Sequence, residues 1–115
     1  MKYALSSRQT AEYLQKADEI RVQYRDRDII YDFVDEYPDK TIILEIPFYI
    51  EEEKIDYQLL TNFSKLIPNF ICRISRPSDI LQLRELNIKW YYGMIVDKWE
   101  DLALLASMEP EYVLI

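Results

Sequence analysis

The chain of 115 residues contains no histidine, one glycine and one cysteine. Without histidine there is no Ser-His or Cys-His nucleophile pair, none of the usual imidazole-built zinc or iron sites, and no side chain that ordinarily titrates near neutrality. With Gly93 alone, neither the G-x-G-x-x-G turn nor a P-loop can be written anywhere, because both need several backbone positions free of a Cβ. A single thiol, Cys72, excludes an internal disulfide and a thiolate-built zinc site within one chain, and reads as a small buried apolar residue. The longest apolar runs, "WYYGMIV", "YVLI" and "FIC", fall far short of the roughly 20 residues a membrane-spanning helix needs. The opening "MKYALSSRQ" holds no apolar stretch of signal-peptide length, so a cytoplasmic protein without a membrane partner is expected. No cofactor, metal site or catalytic residue is expected.

What is present is the composition of a folding domain. Half of the residues are hydrophobic and 30% are charged, with no polar low-complexity tract, so residues 1–115 are read as a single domain with its own core. The formal charge of −7 opposes nonspecific attraction to nucleic acid and to anionic lipid. A basic or nucleic-acid-mimicking partner surface fits the sign better.

Strand-like and helix-like patterns alternate from end to end. Strands are predicted at "KYALS" (2–6), "EIRVQY" (19–24), "TIILEIP" (41–47), "FICRIS" (70–75), "WYYGMIV" (90–96) and "EYVLI" (111–115), all rich in β-branched and aromatic residues. Helical spacing fills the intervals: "RQTAEYLQKA", "RDIIYDFVDEY", "DYQLLTNFSKLI", "SDILQLREL" and "DKWEDLALLASM". Asp97 with Glu100, and Pro77, suit helix starts. Pro38, Pro68 and Pro110 suit helix stops, with Asn69 and Asn87 standing in for the missing glycines. The series predicts an α/β fold of six parallel strands and five helices with right-handed crossovers, as a truncated (β/α) barrel or strongly curved open sheet. The alternative is a three-layer doubly wound sheet.

One feature resists the pattern. Strands of a parallel sheet are normally apolar on both faces, yet "DEIRVQYRDRD" (18–28) alternates. If Ile20, Val22 and Tyr24 pack under helices with Ile42, Leu44, Ile46, Phe70, Cys72 and Ile74, the period of two sends Arg21, Gln23 and Arg25 to the other side. Thr41, Ile43 and Glu45 join them there, as do Ile71, Arg73 and Ser75. So many polar groups must be paired, wet or bound, since each unpaired buried charge costs several kcal/mol. An Arg25–Glu45–Arg73 set could satisfy itself, which is the purely structural reading.

The functional reading is an open, concave polar surface that takes an anion near the carboxyl ends of the strands. Its candidate ligand-binding residues are Arg21, Gln23, Arg25, Glu45, Arg73 and Arg76, with Arg27 and Lys98 as further anion contacts. Asp26, Asp28, Asp79 and Asp97, in the same loops, weaken the phosphate version. Glu45 beside arginines suits an ion pair better than a general acid. The run Glu51 to Glu53 reads as a solvated loop or helix start in the longest connection, 48–56. Trp90, Tyr91, Tyr92 and Trp99 read as core before they read as a stacking platform, and Gly93 marks a close backbone approach or a ligand-facing gap.

"KADEIRVQYRDRDIIYDFVDEYPDKTIILEIP", followed by "WYYGMIVDKWEDL", resembles small uncharacterised phage-type proteins patterned like the first part of a (β/α) barrel. The resemblance implies a virus-encoded accessory protein working in the host cytoplasm and carries no catalytic residue. The leading expectation is a non-enzymatic interaction protein that binds a protein partner or self-associates through open sheet edges. The competing expectation is a small-anion binding protein or enzyme with its site at the strand ends. A third is an acidic inhibitor that mimics nucleic acid, which requires carboxylates clustered on one face.

Overall fold

A computed structural model describes residues 2–47, 49–76, 79–93 and 103 of the chain. Five strands, β1 (Ala4–Ser6), β2 (Glu19–Gln23), β3 (Thr41–Ile46), β4 (Phe70–Ile74) and β5 (Trp90–Tyr92), form one sheet in the order β1-β2-β3-β4-β5, with every neighbouring pair parallel. Helices α1 (Ala11–Lys16), α2 (Ile30–Glu36), α3 (Tyr57–Leu66) and α4 (Ile80–Glu85) make the crossovers. The α/β expectation holds for these elements. The predicted sixth strand, 111–115, and fifth helix, 97–108, lie outside the described residues except for residue 103.

Strands follow one another without a reversal of order. The helix residues that enter the core, among them Leu14, Ile30, Phe33, Leu60, Phe63, Ile80 and Leu83, join one cluster with Ile20, Val22, Ile42, Leu44, Phe70, Cys72, Ile74 and Trp90. The helices therefore cover one face of the sheet. A doubly wound sheet needs a switch point where the order turns and helices pass to the other face; the five described strands contain none, which corrects the three-layer alternative for this part of the chain.

Local chemistry fixes the element ends. Asp56 caps α3, its side chain accepting from the Leu59 N–H at 3.1 Å. Lys40 reaches back from the α2–β3 turn to cap the last carbonyls of α1, donating to the Gln15 carbonyl at 2.8 Å and to that of Ala17. Helix α2 stops before Pro38 and α3 before Pro68, as their positions predict. Of the two asparagines, Asn87 alone takes the left-handed conformation, with φ of 56°. Asp97, Glu100, Pro77 and Pro110 fall outside the described residues.

The largest difference from the predicted elements is at the end of β2. The strand stops at Gln23, one residue short, and Tyr24–Ile29 forms a 3-10 turn that also delays α2 to Ile30. Arg27 holds that turn: its guanidinium donates to the Tyr24 carbonyl at 3.0 Å and lies 4.4 Å from the centre of the Tyr24 ring. Among the described residues no helix is long and apolar enough to cross a membrane.

Candidate functional site

In a parallel sheet, residues paired across the strands point the same way. The register aligns Ser6, Arg21, Ile43 and Ile71 in one row, and Gln23, Glu45, Arg73 and Tyr91 in the next row toward the carboxyl ends. Both rows face away from the helices. Gln23, Glu45 and Arg73 thus share one side of three adjacent strands, and Arg25, Pro47 and Ser75 follow them where the strands end.

These ends surround an open cleft of about 490 Å³, within the range of small-molecule sites. Its polar lining is Gln23, Arg25, Glu45, Arg73 and Ser75; its apolar wall is Tyr24, Ile46, Pro47, Tyr49 and Ile50. Pro47, Tyr49 and Ile50 come from the start of the connection after β3, Ile46 ends that strand, and Tyr24 follows β2. Tyr24 ties down the far end of that connection, its hydroxyl accepting from the Asp56 N–H at 2.7 Å and donating to the Lys54 carbonyl at 3.4 Å. The Glu51 side chain pairs with Lys54 at 3.6 Å in solvent, as a solvated loop would.

Arg73 organises the floor. Its Nη1 donates to Glu45 Oε2 at 2.7 Å and its Nη2 to the Gly93 carbonyl at 3.1 Å. Gly93 makes this possible, because a Cβ there would stand 2.5 Å from Arg73 Nε and 2.8 Å from Arg73 Cγ. The only glycine in the sequence lies where an arginine side chain crosses the backbone. The approach at Gly93 is made by a side chain, where a backbone approach or a ligand-facing gap was expected.

The other predicted residues divide sharply. Arg25 is exposed on the cleft rim, and among the described residues it makes no hydrogen bond or ion pair. It does not join Glu45 and Arg73, because the chain has already turned out of β2, so the predicted three-membered set is a pair. Arg76 is held by Asp79, with Nε and Nη2 at 3.2 and 3.3 Å from its two oxygens. Asp79 is fully buried and also takes the Tyr57 hydroxyl at 3.4 Å. Arg76 is therefore committed to Asp79 and is not among the described residues that line the cleft. Arg27 is engaged with Tyr24, and Asp26 pairs with Arg8 at 3.1 Å. Arg21 sits one row below the cleft, half-buried, its Nε shielded from solvent with no partner among the described residues. Lys98, Asp97 and Trp99 are outside the described residues.

Trp90 and Tyr91 are buried, so neither offers a stacking surface, and Tyr92 packs partly against the core. Cys72 is wholly buried beneath the helices. Burial pushes its thiol far above the ordinary value, and the charge of Asp79 adds to the rise, so it does not serve as a nucleophile. Among the described residues no group of three or more acidic or thiol side chains is placed to hold a metal ion.

Sequence reading missed the apolar wall. Pro47 and Ile50 carry no periodicity of their own, and the sole signal was the length of the connection that holds them. No known protein-family model and no curated protein matches this sequence.

Proposed function

We propose that the chain is a non-enzymatic binding protein whose working surface is the cleft at the carboxyl ends of β2, β3 and β4. The arrangement of Glu45, Arg73 and Gly93 carries this reading. The two charged groups on the floor hold each other, and Arg73 also holds the Gly93 carbonyl, so the floor is organised without a ligand. Gln23, Ser75 and Arg25 face the opening with hydrogen-bonding capacity to offer. The thiol lies on the opposite side of the sheet. Such a floor fixes shape and presents polar groups, which is what recognition requires.

The scaffold fits a truncated (β/α) barrel, since sequential parallel strands with helices on one side are that barrel's repeating unit. A complete barrel fills its interior with packed layers; a partial one leaves the strand-end surface open to a partner. An accessory role, which the phage-type sequence pattern implies, is part of the same proposal. A second reading, self-association, is favoured by β1, which has one neighbour among the described strands and is three residues long.

A fragment library titrated into the isotope-labelled chain tests the first reading. Hits should cluster on the amides of Gln23 and Ser75 and be recovered chemically unchanged. Hits scattered elsewhere, or turnover of a bound compound, reject it. Light scattering tests the second: a monodisperse monomer at high concentration removes it.

A further inference from the structure

The chemistry of the cleft is more selective than a generic recognition surface. Among its described lining residues two arginines stand against one glutamate, so the lining carries a single net positive charge. Arg73 is engaged by Glu45 and by the Gly93 carbonyl, and Arg25 is the cation left over, exposed at the rim. A ligand with one negative charge can pair with Arg25. A ligand with two finds no second free arginine among the described lining residues and shares the cleft with the Glu45 carboxylate. The sequence also has no glycine-rich turn to wrap phosphate oxygens with backbone N–H groups.

The remaining lining sets the rest of the molecule. Pro47 and Ile50, both only half-buried, form an apolar flank beside the rim, suited to a small hydrocarbon or aromatic group. Gln23 and Ser75 can donate to and accept from a neutral amide or hydroxyl. Resting on the binding-protein reading above, we infer that the cleft takes a monocarboxylate with an apolar body, its carboxylate on Arg25 and its hydrocarbon on the Pro47–Ile50 flank. That chemistry is shared by small organic acids and by the carboxyl terminus of a peptide that ends in an apolar residue.

The test titrates phenylacetate, phenylacetamide and phenyl phosphate into the full labelled chain, following the amides of Gln23 and Ser75. Phenylacetate should bind about two- to fivefold more tightly than phenylacetamide, the scale of an ion pair to a solvent-exposed arginine, and more tightly than phenyl phosphate. Arg25→Gln should remove that preference, and Arg25→Lys should restore part of it. Arg25 is exposed, so both variants keep the fold, and unchanged amide spectra away from the cleft check that they do. N-acetyl-Gly-Phe with a free carboxylate, compared with its amidated form, separates the sources: a gain over phenylacetate lost on amidation points to a peptide terminus, and no gain points to a free acid.

Equal binding of phenylacetamide, tighter binding of phenyl phosphate, or an Arg25→Gln variant that binds phenylacetate as before overturns the inference. If other fragments still settle in the cleft, the binding reading survives that result. A cleft that takes neither carboxylates nor any fragment overturns both.

Discussion

The two faces of this sheet are built from the same strands and perform different tasks. Along β3, Ile42, Leu44 and Ile46 are each at most 2% exposed beneath the helices, whereas Thr41 and Glu45 on the other side are only half-buried. The helix face obeys one rule, burial of branched apolar side chains in a single cluster. The opposite face mixes buried Ile43 and Tyr91 with a hydrogen-bonded floor of Glu45, Arg73 and the Gly93 carbonyl. Burial on the first face supplies most of the stability; geometry on the second sets the shape of the cleft. Substitutions on the two faces should therefore fail in different ways.

Leu44→Ala should have the largest effect, because it empties a site with no exposure at the centre of the core. A loss of about 2–5 kcal/mol is expected from urea unfolding, a large part of the ~5–15 kcal/mol that holds a typical domain. Cys72 reports the same event independently. Buried next to Leu44 in the register and with its thiol pushed up by burial, it should resist alkylation in the native state at mildly alkaline pH. Labelling should follow unfolding, and accelerate in Leu44→Ala. Rapid labelling of the unaltered chain, with no loss of fold, would mean that the helix face is not sealed.

Gly93→Ala sharpens the contrast from the other side. It adds one methyl group, yet that group falls on the middle of the Arg73 side chain, which is tethered at both ends by its backbone and by Glu45. Displacing Arg73 should cost about 1–3 kcal/mol in stability and reshape the cleft while leaving the thiol protected. The decisive measurement is a double-mutant cycle with Arg73→Ala. If the penalty comes from Arg73, the two substitutions are strongly non-additive, and the Gly93→Ala cost nearly vanishes in the Arg73→Ala background. Full additivity would place the strain elsewhere.

The same contrast explains what the sequence made legible. The helix face announced itself because Ile20, Val22, Ile42, Leu44, Phe70, Cys72 and Ile74 repeat with the period of the strand, and the register that aligns Gln23, Glu45 and Arg73 follows from that repeat. Periodicity ends where strands end. Arg25 belonged to the extrapolated face, but Arg27 stacks on Tyr24 and turns the chain into a 3-10 turn, an interaction between neighbours that no period encodes. Arg76 looked like an anion contact because its partner, Asp79, lies three residues on and becomes a buried clamp only when α4 docks. Gly93 was visible as an anomaly in a strand, while the side chain that needs it comes from β4.

The smallest predicted effect has the opposite sign. Arg21 and Gln23 lie on the same face of β2, two residues apart, but Gln23 is exposed at the cleft whereas the Arg21 Nε is sealed from solvent without a described partner. An unsatisfied buried donor costs on the order of 1–3 kcal/mol of desolvation, and part of that is offset by the solvated remainder of a half-buried guanidinium. Arg21→Met keeps the length and apolar stem and removes the donor. It should raise stability by up to about 1 kcal/mol and leave phenylacetate binding unchanged, because Arg21 does not line the cleft. A destabilised Arg21→Met variant would show that the Nε–H has a partner in the folded protein, and a variant that also lost the ligand would extend the binding surface one row deeper into the sheet.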